Sequence, residues 1–181
     1  MRVCLARVLV VLFLGGVVSA AAPLGIWLDV PFVQQEKEGC GSASIAMVMQ
    51  YWSQQGETSH ESSDPVKIQH ILYSREGHGI YESDMRRYFR DGGFQTFAFR
   101  GEWADLQLHL GKGRPLIVAL QPVGDAPLHY VVVAGVDSDP DLVLLNDPAQ
   151  RKLMKRDRTT FEREWSAANR WTLLAVPQHN H

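Results

Sequence analysis

Residues 30–52 read VPFVQQEKEGCGSASIAMVMQYW, and the fold turns on where regular structure begins within them. Cys40, Ala43, Ser44, Met47 and Tyr51 recur at steps of three and four, so the spacing predicts a helix from Cys40 to about Gln54. Gly39 and Gly41 interrupt regularity at its start, which puts Cys40 in or beside the first turn. Unpaired backbone N–H groups and the helix dipole favour an anion there, lowering a thiol's pKa and raising its thiolate fraction.

The redox setting sharpens the question. Arg2 and Arg7 precede Val8–Val18, an 11-residue apolar run, and the small residues of VSAAAP follow. This is the pattern of a secretory signal peptide over 1–22, cleaved after Ala20 or Ala22. The uncharged stretch runs on to Leu28, so an uncleaved membrane anchor is the alternative. Cleavage removes Cys4, Arg2 and Arg7, leaving 16 basic against 20 acidic residues, a net charge of −4, and one cysteine. The expected location is therefore periplasmic or extracellular, where proteins favour paired cysteines. A lone Cys40 is either an inert core residue, since a thiol packs as a small hydrophobe, or a reactive one.

With 181 residues and 45% hydrophobic content, the chain supports one domain, 23–181, with its own core. The near-balanced charge does not point to nucleic acid. Downstream, Asp64–Tyr73 reads as a helix with Asp64 as N-cap and Pro65 at its first position. Tyr81–Asp91 reads as another, closed by Gly92-Gly93. Phe94–Arg100 reads as extended, Glu102–Leu110 as a short helix and Thr159–Ala168 as a last one. Pro115–Gln121, Leu128–Val136, Leu142–Leu145 and Trp171–Val176 read as strands. Helices first and strands later argue α+β rather than a regular βαβ alternation.

The turn-rich Asp137–Asp141 joins two apolar runs, and a hairpin centred on Ser138 sets His129 directly opposite Asp147. Opposed side chains share a face, with Cβ atoms about 4.5–5.5 Å apart, close enough for an imidazole–carboxylate bond. A one-residue slip would separate them. Singly, His129 is an ordinary sheet residue and Asp147-Pro148 an ordinary strand end. With a helix-start cysteine they make a nucleophile, its base and the base's orienter.

VPFVQQEKEGCGSASIAMVMQYW, together with HYVVVAGV and LLNDPA further on, resembles the bacteriocin-processing (double-glycine leader) cysteine peptidases, family thirty-nine of the papain-like clan. The resemblance runs from about Val30 to Val176. It implies a papain-like fold, with a nucleophile-bearing helix packed on an antiparallel sheet. It implies Cys40 as nucleophile, His129 as base and acid, Asp147 as orienter, and Gln34, six residues before the cysteine, as oxyanion-hole donor. Gln35 is its neighbour; the spacing favours Gln34. The expected activity is hydrolysis of a peptide or protein substrate through an acyl-enzyme, with no cofactor or metal. Known members are domains of ABC transporters, whereas this chain carries no transporter spans, no ATP site and its own export signal, so the cytosolic leader-processing role does not transfer. The alternatives are a papain-like acyltransferase or transpeptidase, or a non-catalytic binding module on the same fold. A metal site drawn from His129, Asp147, His78 or His109 lacks ligand spacing.

Overall fold

A computed structural model describes residues 25–57, 63–122, 124, 126–138 and 141–178. The expected signal segment 1–22, the middle of the hairpin loop and residues 179–181 lie outside these residues. The elements run β1 (Ile26–Trp27), α1 (Cys40–Gln54), α2 (Pro65–Leu72), α3 (Glu82–Asp91), β2 (Phe94–Arg100), α4 (Trp103–Leu110), β3 (Leu116–Leu120), β4 (His129–Ser138), β5 (Asp141–Asp147), β6 (Arg151–Asp157), α5 (Arg158–Ala167) and β7 (Trp171–Pro177). The helix from Cys40 and the strand Phe94–Arg100 match the sequence-based bounds. Asp64 caps α2 as expected, its carboxylate accepting from Val66 N–H at 2.9 Å. Glu102 and Asp105 cap α4 reciprocally.

One antiparallel sheet in the order β2-β7-β3-β4-β5-β6 organises the molecule, with β1 paired to the far half of β4. Strand alternation divides its side chains between two cores. Ile117, Val132, Leu173 and Ala175 pack under α1, α2 and α3 with Met47, Ile68 and Phe89. Leu116, Val118, Val131, Val133 and Leu174 pack on the other face under α4 and α5, with Leu106, Phe161 and Trp165. The fold is α+β, but its helices cover both faces of the sheet.

Two strands were not foreseen. β1 has two residues and no pattern to read. β6, RKLMKRD, shows no apolar alternation because it is an edge strand that fully buries only Met154. Charges on such an edge block pairing with other chains.

The β4–β5 register departs from the expected one. Ser138 pairs with Asp141 and Val136 with Val143, three residues from a hairpin centred on Ser138. Carried inward unchanged, this register would set Asp147 opposite Val132, on the face away from His129. Ala134 prevents that. Val133 pairs with Leu145 and Gly135 with Leu144, leaving Ala134 as an extra residue in a β-bulge. Beyond the bulge Val132 pairs with Asn146, so the next step sets Asp147 opposite Val131, on the face of His129. Core membership agrees: Val136 shares a core with Val131 and Val133 despite the odd spacing. Gly135 permits the bend, because a Cβ there would lie 2.7 Å from the Ile26 carbonyl oxygen.

Candidate active site

Cys40 is the first residue of α1, and the Gly39 N-cap offers no side chain to its free N–H groups. The Ser42 hydroxyl donates to the Gly39 carbonyl at 2.9 Å, steadying the first turn. Gly41 allows α1 to lie against Ile80, whose Cβ would be 3.1 Å from any Cβ at that position. These packing choices bring the thiol to the start of β4, where His129 and Tyr130 lie.

His129 Nε2 donates to Asp147 Oδ1 at 2.8 Å, leaving Nδ1 for Cys40. The two are diagonal rather than directly opposed, a separation that long side chains span. Asp147, 2% exposed, is held from both oxygens: Ala149 N–H donates to Oδ1 at 3.0 Å and Gln150 Nε2 to Oδ2 at 2.8 Å.

Each protonation state has a physical cause. Burial pushes the Cys40 thiol up, but a hydrogen bond from His129, the Tyr130 and Gly41 backbone N–H groups and the imidazole charge outweigh it and bring the thiol below its usual value. Burial pushes His129 down, but bonds to Asp147 and Cys40 and their negative charges raise it to about 9. Burial likewise pushes the Asp147 carboxyl up. The bond and charge of His129, with Ala149 and Gln150, lower it on balance. The Cys40 and His129 shifts act in the same direction, toward a thiolate beside an imidazolium.

Cys40, His129 and Asp147 open into one cavity of about 490 Å³. Glu38 and His78 border it on one side, with Pro122, Ala126 and Leu128 among its other lining residues. Gln34 does not line it. Exposure alternates along the lead-in, so Gln34 and Glu36 are exposed while Gln35 turns inward and lines the cavity. Gln35 is fixed by its backbone N–H, which donates to the Pro148 carbonyl at 2.9 Å, and its Oε1 is buried without a partner among the described residues. The glutamine that lines the cavity is thus one residue beyond the one that spacing selects, since neighbours in such a segment face opposite ways.

Two more residues escaped the sequence reading. Gln150 follows Asp147 by three positions, an Asp-initiated turn that DPAQ advertises. Asn146 gives no such signal. It is fully buried, and its Nδ2 donates to the Val30 and Pro31 carbonyls at 3.0 and 3.3 Å while Oδ1 accepts from Leu153 N–H at 2.9 Å. It ties the lead-in of the cysteine helix to the strand that carries Asp147. His109 lies away from the cavity, beside Phe99. Among the described residues no group of three or more His, Cys, Asp or Glu could hold a metal ion.

A search of curated protein sequences returned no match. Among solved structures, a C39-like peptidase from Bacillus anthracis superposes with a TM-score of 0.69 at 19% identity, covering 86% of this chain and 99% of its own. A double glycine motif protease from an AMS/PCAT transporter, solved with a leader peptide, gives 0.64 at 20% identity over 87% of this chain and all of its own. The peptidase domain of Streptococcus ComA, a bifunctional ABC transporter, gives 0.64 at 19% identity, covering 82% and 98%. At these identities the likeness establishes the fold. The sequence profile of the Peptidase_C39 like family matches residues 27–172, which contain every element from α1 to α5 and all of the cavity-lining residues named above. The chain belongs to the Peptidase_C39 like family and has the papain-like α+β fold of its peptidases.

Proposed function

We propose that the protein is an exported cysteine peptidase that hydrolyses peptide bonds through Cys40, His129 and Asp147. The observation that carries this reading is the chain of contacts from a helix-start thiol through His129 to a buried carboxylate, with Nε2 to Oδ1 at 2.8 Å, inside one open cavity.

In this mechanism the Cys40 thiolate attacks the carbonyl carbon and the carbonyl electrons move to oxygen. The Cys40 backbone N–H and the Gln35 side-chain N–H stabilise that oxyanion; Gln35 takes the role because it lines the cavity and Gln34 does not. His129, protonated on Nδ1, gives its proton to the departing amine, and a thioester remains. Neutral His129 then accepts a proton from water as the water attacks the thioester, and Cys40 leaves as thiolate. Asp147 stays ionised, holding the ring and favouring its charged form.

The test is a cleavage assay on a peptide mixture, read by mass spectrometry, with wild type, Cys40→Ala and His129→Ala, alongside iodoacetamide labelling at neutral pH. The reading predicts fast labelling that slows in His129→Ala and cleavage that both variants lose. Labelling no faster than a free thiol, unchanged in His129→Ala, would sink it. Export is proposed on the strength of the Arg2–Ala22 segment. Finding the N-terminus of protein recovered outside the cytoplasm at Ala21 or Pro23 supports it, and recovery only from cytosol refutes it.

A further inference from the structure

The cavity beside Cys40 holds a charge that the proposed reaction does not use. Arg156 and Glu164 also border it, but they face each other as an ion pair. His129 stands between Asp147 and Cys40. Glu38 differs: it lines the cavity two residues before Cys40, and its side-chain partners are not permanent cations. The Tyr73 hydroxyl donates to Glu38 Oε2, and His78 Nδ1 lies 3.6 Å from Oε1. The exposed Lys37 acts on it only through space.

The bracing is specific. Ser74 and Gly79 exchange backbone bonds of 2.8 and 3.3 Å, and Gly77 N–H donates to Ser74 Oγ at 3.2 Å. This closes 74–79 into a tight loop that carries His78 to the rim. Gln69 Nε2 donates to the Glu38 carbonyl at 3.4 Å, fixing the backbone from the other side. Glu38 and His78 both adopt left-handed backbone, with φ of 55° and 47°. Non-glycine residues persist there only when their surroundings hold them, and such positions gather where a group must be aimed. A carboxylate held by a neutral hydroxyl and facing an open cavity attracts a cation from the ligand.

We propose that Glu38, braced by Tyr73 and His78, forms a subsite that recognises a cationic group of the substrate close to the scissile bond. The inference rests on the peptidase reading above and specifies its substrate class. Two sources of the cation are possible, a Lys or Arg side chain or a free α-amine, and the experiment separates them.

A peptide library with randomised positions is prepared in N-acetylated and free-amine forms and incubated with wild type, Glu38→Gln, Tyr73→Phe and Cys40→Ala. Wild type should cleave acetylated peptides bearing Lys or Arg near the cut about fivefold faster than peptides with Gln there, the scale of one partly exposed ion pair. If the source is the α-amine, the free-amine form shows the preference and the acetylated form does not. Glu38→Gln should bring the ratio toward one. Tyr73→Phe should lower it in the same direction, and it carries the test if circular dichroism shows Glu38→Gln unfolded. Cys40-dependent cleavage without a cation preference, or with a preference unchanged in both variants, overturns the subsite alone. No Cys40-dependent cleavage of any peptide overturns the peptidase reading and this proposal with it.

Discussion

At the residue scale, three groups share two protons, and their linkage sets the pH behaviour. Alkylation of Cys40 and peptide cleavage should both rise with pH through the lowered thiol pKa. Cleavage should fall again near pH 9, where His129 loses the proton that the leaving amine needs. Asp147→Asn removes the carboxylate that raises His129, so the alkaline limb should move to lower pH; a limb that stays near 9 would show that Asp147 does not hold the imidazolium. The stability sign follows. With its folded pKa raised above 6.5, His129 contributes fully below that value, and the contribution is lost as pH rises through about 9. Asp147 is the reverse case, contributing above its ordinary value of 3.8 and losing that contribution as pH falls through its lower folded value. The neighbouring glutamines make a clean comparison. Gln35→Ala should lower kcat by roughly 10²–10³ while leaving iodoacetamide alkylation intact, because alkylation forms no oxyanion. Gln34→Ala should cleave at close to the wild-type rate. The opposite ranking would return the oxyanion role to Gln34.

At the scale of elements, the site depends on a strand irregularity and on a latch. Deleting Ala134 removes the unpaired residue and leaves Val133 opposite Leu145 and Gly135 opposite Leu144, so Asp147 stays on the face of His129. The expected result is a protein that keeps far-UV helix and sheet signals and rapid alkylation of Cys40. Lost reactivity would mean that the bend at the bulge, and not only the register it sets, aims His129. Asn146 joins the Val30–Pro31 segment to β5 and satisfies Leu153 N–H. Asn146→Ala leaves those buried groups unpaired and should cost about 1–3 kcal/mol in urea unfolding. It should also affect cleavage more than alkylation, since the lead-in carries Gln35.

At the scale of the molecule, the two cores share one sheet. Ile117 belongs to one core while Leu116 and Val118 belong to the other, so neither face can open without disturbing the same strand. Unfolding should therefore be a single transition, with tryptophan fluorescence and far-UV circular dichroism giving coincident midpoints. Separate midpoints would show that the α1–α3 side melts independently of the α4–α5 side. The cavity forms where α1 begins beside the start of β4, so its geometry belongs to the assembled sheet rather than to any single segment.

The sequence by itself determined the elements that rest on local periodicity: the helix from Cys40, the capped helix after Asp64, the strand Phe94–Arg100 and the apolar strands of the sheet centre. It also singled out Cys40, His129 and Asp147, because their types and order are legible without coordinates. A charged edge strand hid β6, since burial that is absent leaves no pattern. Only the tertiary structure decided how His129 and Asp147 meet. The hairpin closes three residues from the expected register, and a bulge at Ala134, demanded by packing of β1 and β5 around Gly135, restores their common face. It also set which of Gln34 and Gln35 lines the cavity, because which neighbour faces inward depends on where Pro148 and Asn146 pin the lead-in. Spacing along the chain measures distance. Facing is set by the contacts that pin each segment.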